Sequence, residues 1–155
     1  MIALFLDGDA CPVKDEAYVV ATRYGIPVAL VANRAIHVPP GLGVQMIVVD
    51  EGPDAADDWI AENAREGDVV VTADIPLAAR CLELGAGVLG TDGRPFTEDM
   101  IAGALATREL KQGLREAGVV AGGPPGITAK ERSRFAAKLD EWVQRALRQE
   151  SERAR

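Results

Sequence analysis

Histidine is almost missing from this chain: His37 stands alone among 155 residues. A single imidazole in a proline-rich stretch supports neither a Cys/His zinc spacing nor a Ser-His-Asp or Cys-His catalytic pair. Cysteine is nearly as scarce. Cys11 and Cys81 are the two present, too few for a disulfide framework, and that usage fits a cytoplasmic chain. No apolar run approaches the roughly 20 residues of a membrane span, so no membrane partner is expected. The N-terminus enters an apolar strand with no basic flank, which does not fit a signal peptide. Internal repeats and low-complexity segments are absent, and nothing in the sequence sets an oligomeric state.

What is abundant is acid. The net charge is −7, with 24 acidic against 17 basic residues, which taken alone disfavours nucleic acid. The distribution is uneven. Residues 1–107 carry 17 acidic and 6 basic side chains, whereas residues 108–155 carry 7 and 11. An acidic site beside a basic C-terminal segment suits a metal-dependent enzyme acting on a polyanion. A solvated amphipathic helix would explain the basic segment equally well.

The chain is organised around Ala3-Leu4-Phe5-Leu6-Asp7-Gly8-Asp9-Ala10-Cys11-Pro12. A short apolar run, Ile2 to Leu6, ends abruptly in two carboxylates, as a buried parallel strand would at its carboxyl end. A helix is expected over 12–24, with Pro12 in its first turn and Val13, Ala17, Val20, Ala21 and Tyr24 on one side. Strands follow at 27–33 and 44–49, joined by a segment too rich in proline and glycine for a helix. A helix opening at Asp54 or Asp57 runs to Arg65, with Ala56, Ile60 and Ala64 at helical spacing. Asp68 to Thr72 is a fourth strand, 76–84 a helix and 87–89 a brief fifth strand. Two further helices are expected over 97–105 and 108–117, then a rigid break at Gly122-Gly123-Pro124-Pro125-Gly126. Thr128 and Glu131 form a capping-box pattern. The last helix should run to about Gln149, with Phe135, Leu139, Trp142 and Ala146 inward. Residues 1–149 read as one domain and 150–155 as a frayed tail. Alternating strands and helices predict an α/β fold with a mostly parallel sheet between two helical layers.

Parallel strands bring their carboxyl ends to one edge. Asp7, Asp9, Asp50, Asp54, Asp57, Asp58 and Asp74 all fall at or just past such ends. Capping accounts for one or two acids at a helix start, so the surplus points to a cation site. Hard oxygen donors suit Mg²⁺ or Mn²⁺. Asp54 and Asp57 are expected to face the pocket, with Asp58 solvated and Cys11 structural. Arg108, Lys111 and Arg115 recur at spacings of three and four, so one helical face of that segment would meet a polyanion such as RNA.

Asp7-Gly8-Asp9-Ala10-Cys11-Pro12, Val31-Ala32-Asn33, Val38-Pro39-Pro40, Gly52-Pro53-Asp54-Ala55-Ala56-Asp57, Thr72-Ala73-Asp74-Ile75-Pro76-Leu77-Ala78 and Gly122-Gly123-Pro124 occur in this order. Together they resemble the YaiI/YqxD family of bacterial proteins over nearly the whole chain. That resemblance implies a PIN-like α/β/α fold and a metal-dependent ribonuclease site on Asp7, Asp9, Asp54, Asp57 and Asp74. A PIN domain carries a later acid as well, for which Asp92 is the nearest candidate. Two other readings compete. A strand followed by Asp-x-Asp also opens haloacid-dehalogenase-like phosphatases, with Asp7 as nucleophile, although such enzymes need a lysine at the site. A receiver-type module would use Asp50 and Thr72, and a non-catalytic metal-binding or interaction domain is the remaining class.

Overall fold

The computed structural model describes residues 1–52, 54–103 and 126–154. Five strands form one sheet: β1 (Leu4–Asp7), β2 (Val28–Ala32), β3 (Val44–Val48), β4 (Val69–Val71) and β5 (Gly87–Leu89). Their order is β3-β2-β1-β4-β5, and every pairing is parallel. The helices are α1 (Lys14–Tyr24), α2 (Ala55–Asn63), α3 (Ile75–Glu83) and α4 (Ala129–Arg153), and residues 98–103 are also helical.

Strand alternation sorts the core into two layers. Leu4, Leu6, Val28, Leu30, Val69 and Val71 pack with α1 and α4, against Val13, Ala17, Phe135 and Leu139. Phe5, Val31, Val70 and Val88 point the other way, onto Ile60 of α2 and Leu77, Ala78 and Cys81 of α3. The result is the α/β/α sandwich that the alternating pattern predicts. No helix among the described residues is long and apolar enough to cross a membrane.

Several boundaries differ from expectation for physical reasons. A 3-10 turn, Gly8–Ala10, follows β1, and α1 starts only at Lys14, so Pro12 lies in the turn ahead of the helix. The link from β2 to β3 carries no helix, as its prolines require. Ile36, Val38 and Leu42 pack it onto the α1 layer instead. On α4 the fully buried stripe is Phe135, Leu139, Val143 and Ala146, with Trp142 only partly covered. The capping box at Thr128 forms as read, with the Thr128 hydroxyl accepting from the Glu131 amide at 3.1 Å. α4 runs past Gln149 to Arg153. Its end is held by ion pairs from the N-terminal amine to Glu150 and from Arg153 to Glu66. The expected helix at 108–117 and the break before Gly126 lie outside the described residues.

Gly8 is the tightest point beside the two leading acids. A methyl group there would lie 2.8 Å from Leu30 Cδ1 and 3.1 Å from the Val31 carbonyl. Gly8→Ala is therefore expected to lose about 1–3 kcal/mol by overpacking, read as a lower urea midpoint. A midpoint equal to wild type would mean that the turn has slack this packing does not show.

Candidate functional site

The strand order places a topological switch at β1. The chain moves outward through β2 and β3, then returns by α2 to lay β4 on the other side of β1. Ligands bind beyond the carboxyl ends of strands at such a switch. A cleft of about 320 Å³ lies there, lined by Asp7, Asp9, Asp57 and Asp74 with Gly52, Ala56 and Ala73.

Each acid arrives by a different local device. Asp7 is the last residue of β1, two positions after Phe5, so alternation turns it toward the α2/α3 layer. Burial raises its pKa. The Thr72 hydroxyl opposes this by donating to Oδ2 at 2.8 Å, and the Asp74 and Asp9 charges reinforce it. Thr72 is 1% exposed and also accepts from the Asp74 amide at 2.9 Å, so one hydroxyl sets the spacing of two acids. Asp74 is the N-cap of α3: its Oδ1 accepts from the Leu77 amide at 2.9 Å. Capping and cleft lining are thus both true of this residue. Asp9 follows in the 3-10 turn, exposed, with its oxygens 3.2 and 3.3 Å from the Asn33 amide at the end of β2.

Asp57 stands in the first turn of α2. Its carboxyl is pushed up to about 6 by burial first, then by the charges of Asp74, Asp7 and Asp54, with Arg80 opposing. In metal-free protein the folded state therefore keeps a proton on Asp57 that the unfolded chain releases. Stability from this group is full below the ordinary value of 3.8 and is lost as pH rises through about 6. Asp57→Asn is expected to flatten the fall in melting temperature across that window. Parallel curves for wild type and variant would contradict it.

The remaining acids sort plainly. Asp54 occupies the N-cap position of α2 and is exposed outside the cleft lining, because it precedes the helical turn that aims Asp57 inward. Only its charge reaches Asp57. Asp58 is exposed and pairs with Arg80 at 2.7 Å, as a solvated acid would. Asp50 is exposed after β3 and does not line the cleft. Asp92 belongs to its own turn, accepting from the Arg94 amide at 3.0 Å, while its carbonyl accepts from Arg134 on α4. Cys11 and Cys81 are buried free thiols, and burial pushes both upward, which fits structural roles. Arg108, Lys111 and Arg115 lie outside the described residues.

Comparison with known proteins decides the kinship. A family model described as "Uncharacterized BCR, YaiI/YqxD family" matches residues 5–145. The chain belongs to the YaiI/YqxD family. Among its YaiI/YqxD relatives, a "UPF0178 protein" of Rhodopseudomonas palustris (strain HaA2) is 50% identical over 145 residues, covering 94% of this chain and 88% of that one. One from Parvibaculum lavamentivorans (strain DS-1) is 52% identical over 144 residues, covering 93% and 95%. One from Caulobacter sp. (strain K31) is 51% identical over 148 residues, covering 96% and 98%. No solved structure matches this YaiI/YqxD chain.

Among the described residues, no three acidic, thiol or imidazole side chains stand close enough to hold an ion as placed. Bare carboxylates repel, and Asp74 and Asp9 have turned oxygens onto backbone amides. The chemistry of the donor set still fits a hard divalent cation. Among the described residues, the cleft lining of this YaiI/YqxD chain offers four carboxylates, no imidazole or thiol, and no basic side chain to offset them.

Proposed function

We propose that the cleft holds Mg²⁺ or Mn²⁺ and hydrolyses phosphodiester bonds, with RNA as the substrate class. The observation that carries this reading is the convergence of Asp7, Asp9, Asp57 and Asp74 on one cleft at the topological switch, with no cation among the described lining side chains. Asp7 and Asp74 would be direct ligands. Asp9 and Asp57 would complete the donor set or orient water, and Asp54 would add charge from outside the lining. A divalent ion held there would lower the pKa of a bound water and neutralise charge on the phosphoryl oxygens. Thr72 acts on the ligands: its hydroxyl holds Asp7 Oδ2 and fixes the Asp74 backbone. Arg108, Lys111 and Arg115 are proposed to neutralise substrate phosphates, which makes binding fall steeply with salt.

The phosphatase alternative has less support. It needs a lysine at the cleft; among the described residues Lys14 instead donates to the Cys11 carbonyl at 2.7 Å, and Lys111 lies outside them. Lys130 and Lys138 lie on α4, in the layer opposite α2 and α3.

The test is two-sided: labelled single-stranded RNA with Mn²⁺, and a phosphomonoester with Mg²⁺, each followed by intact-mass analysis. Cleavage of RNA without any covalent adduct is expected. A phosphoryl group trapped on Asp7 would replace the nuclease reading with the phosphatase. Inactivity toward both would leave a silent binding domain.

A further inference from the structure

The opposite edge of the sheet, at the amino ends of the strands, carries two grooves that the acidic cleft does not use. The larger, about 540 Å³, is walled by Phe5 and Trp59, with Gln45, Arg65 and Arg153 around it. The smaller, about 240 Å³, is walled by Trp142 and Arg145 over Gly67 and Gly87. Asp68 and Arg153 line both, but the two are separate: Trp59 packs with the α2/α3 layer and Trp142 with the α1/α4 layer on the other face of the sheet. The chain has two tryptophans, and both are here, each only partly covered.

The packing shows that these rings and cations are seated. Trp59 lies 6.1 Å from Phe5 between centroids, tilted by 51°. A methyl on Gly87 would lie 3.1 Å from the Trp142 ring, and one on Gly67 would lie 2.9 Å from Arg153 Nη1. Glycine at both positions is what lets the ring and the guanidinium settle onto the backbone.

The charges lining the larger groove sum to zero, three acids against Arg65, Arg153 and the N-terminal amine, and the one left without a partner among the described residues is a cation. Three acids line the larger groove, and all three have partners. Asp68 accepts from the Ala3 and Arg65 amides at 2.9 Å each. Glu150 pairs with the N-terminal amine at 3.3 Å, and Glu66 with Arg153 at 3.5 Å. The Arg65 guanidinium has no partner among the described residues, and Gln45 makes no side-chain hydrogen bond there. Aromatic faces beside an unpaired arginine are the chemistry that binds a planar base bearing a phosphate. The volume lies within the usual range for a small-ligand site.

We propose that the larger groove binds a nucleotide, its base against Trp59 and its phosphate on Arg65. The site is separate from the acidic cleft and needs no metal. It therefore stands or falls independently of the nuclease reading.

The placement supplies its own probe, because every tryptophan of the chain is in the grooves. Intrinsic fluorescence and calorimetry of the intact protein, at low salt with EDTA, would be followed during titration with AMP, a short oligoadenylate and inorganic phosphate. Saturable binding of AMP or the oligomer is expected, whichever of the two binds more tightly naming the source of the nucleotide. Arg65→Gln and Trp59→Phe should each weaken it about tenfold, while Asp50→Asn, outside both the groove and the acidic cleft, leaves it unchanged. Arg65 is exposed and Trp59→Phe keeps an aromatic ring against Phe5, and circular dichroism checks that both variants fold. Three results would overturn the site: no saturable binding, binding undiminished by Arg65→Gln, or inorganic phosphate binding as tightly as AMP.

Discussion

Asp7→Asn is expected to abolish metal-dependent cleavage of RNA while raising the melting temperature of the metal-free protein. The two effects share one cause. Asp7 is partly buried among like charges, and its raised pKa records the cost of keeping it ionised. Asparagine keeps the shape and an oxygen for the Thr72 hydroxyl but removes the charge. Without metal that relieves repulsion with Asp74 and Asp9. With metal it removes the anion that would hold the cation. Loss of a group that merely supports a metal ligand costs about 10–100-fold, so loss of a ligand is expected to cost at least about 100-fold. The checks are a cleavage assay with Mn²⁺ and thermal melts with EDTA. Activity within a few-fold of wild type would remove Asp7 from the site, and a lowered metal-free midpoint would mean that its hydrogen bond outweighs the repulsion.

The largest loss of stability is expected from Phe135→Ala. Phe135 is completely buried, in the cluster where α4 meets α1 and the sheet. Truncating a core phenylalanine costs about 3–5 kcal/mol, a large share of the roughly 5–15 kcal/mol that holds a domain together. Urea unfolding followed by circular dichroism should show the loss as a lower midpoint. A cost near 1 kcal/mol would mean that α4 is only loosely docked.

How far the residues spoke for themselves depends on period. Strands and helices were legible wherever apolar spacing was regular. The alternation Leu4-Phe5-Leu6-Asp7 even tells which face Asp7 takes. The first turn of α2 was not legible in the same way. Asp54, Asp57 and Asp58 sit where the helix begins, and a shift of one residue rotates which acid points inward. Asp74 was open to either reading because a cap and a cleft residue have the same sequence signature, and here it is both. Thr72 as an anchor for Asp7 was missed, although a lone hydroxyl after Val69-Val70-Val71 was the signal. Asp68 had no signal at all: it reads as a strand start, and only tertiary structure shows it holding the Ala3 and Arg65 amides. The end of α4 was underestimated because its anchors, Met1 and Glu66, are remote in sequence.

The acids of the cleft are expected to hold one kind of cation together. Mn²⁺ titration monitored by electron paramagnetic resonance tests it without assuming any substrate. Saturable binding to wild type is predicted, lost in Asp7→Asn and Asp74→Asn, weakened in Asp57→Asn, and retained in Asp50→Asn and Asp58→Asn. Absence of binding at millimolar Mn²⁺, or equal binding by wild type and Asp7→Asn, would contradict it.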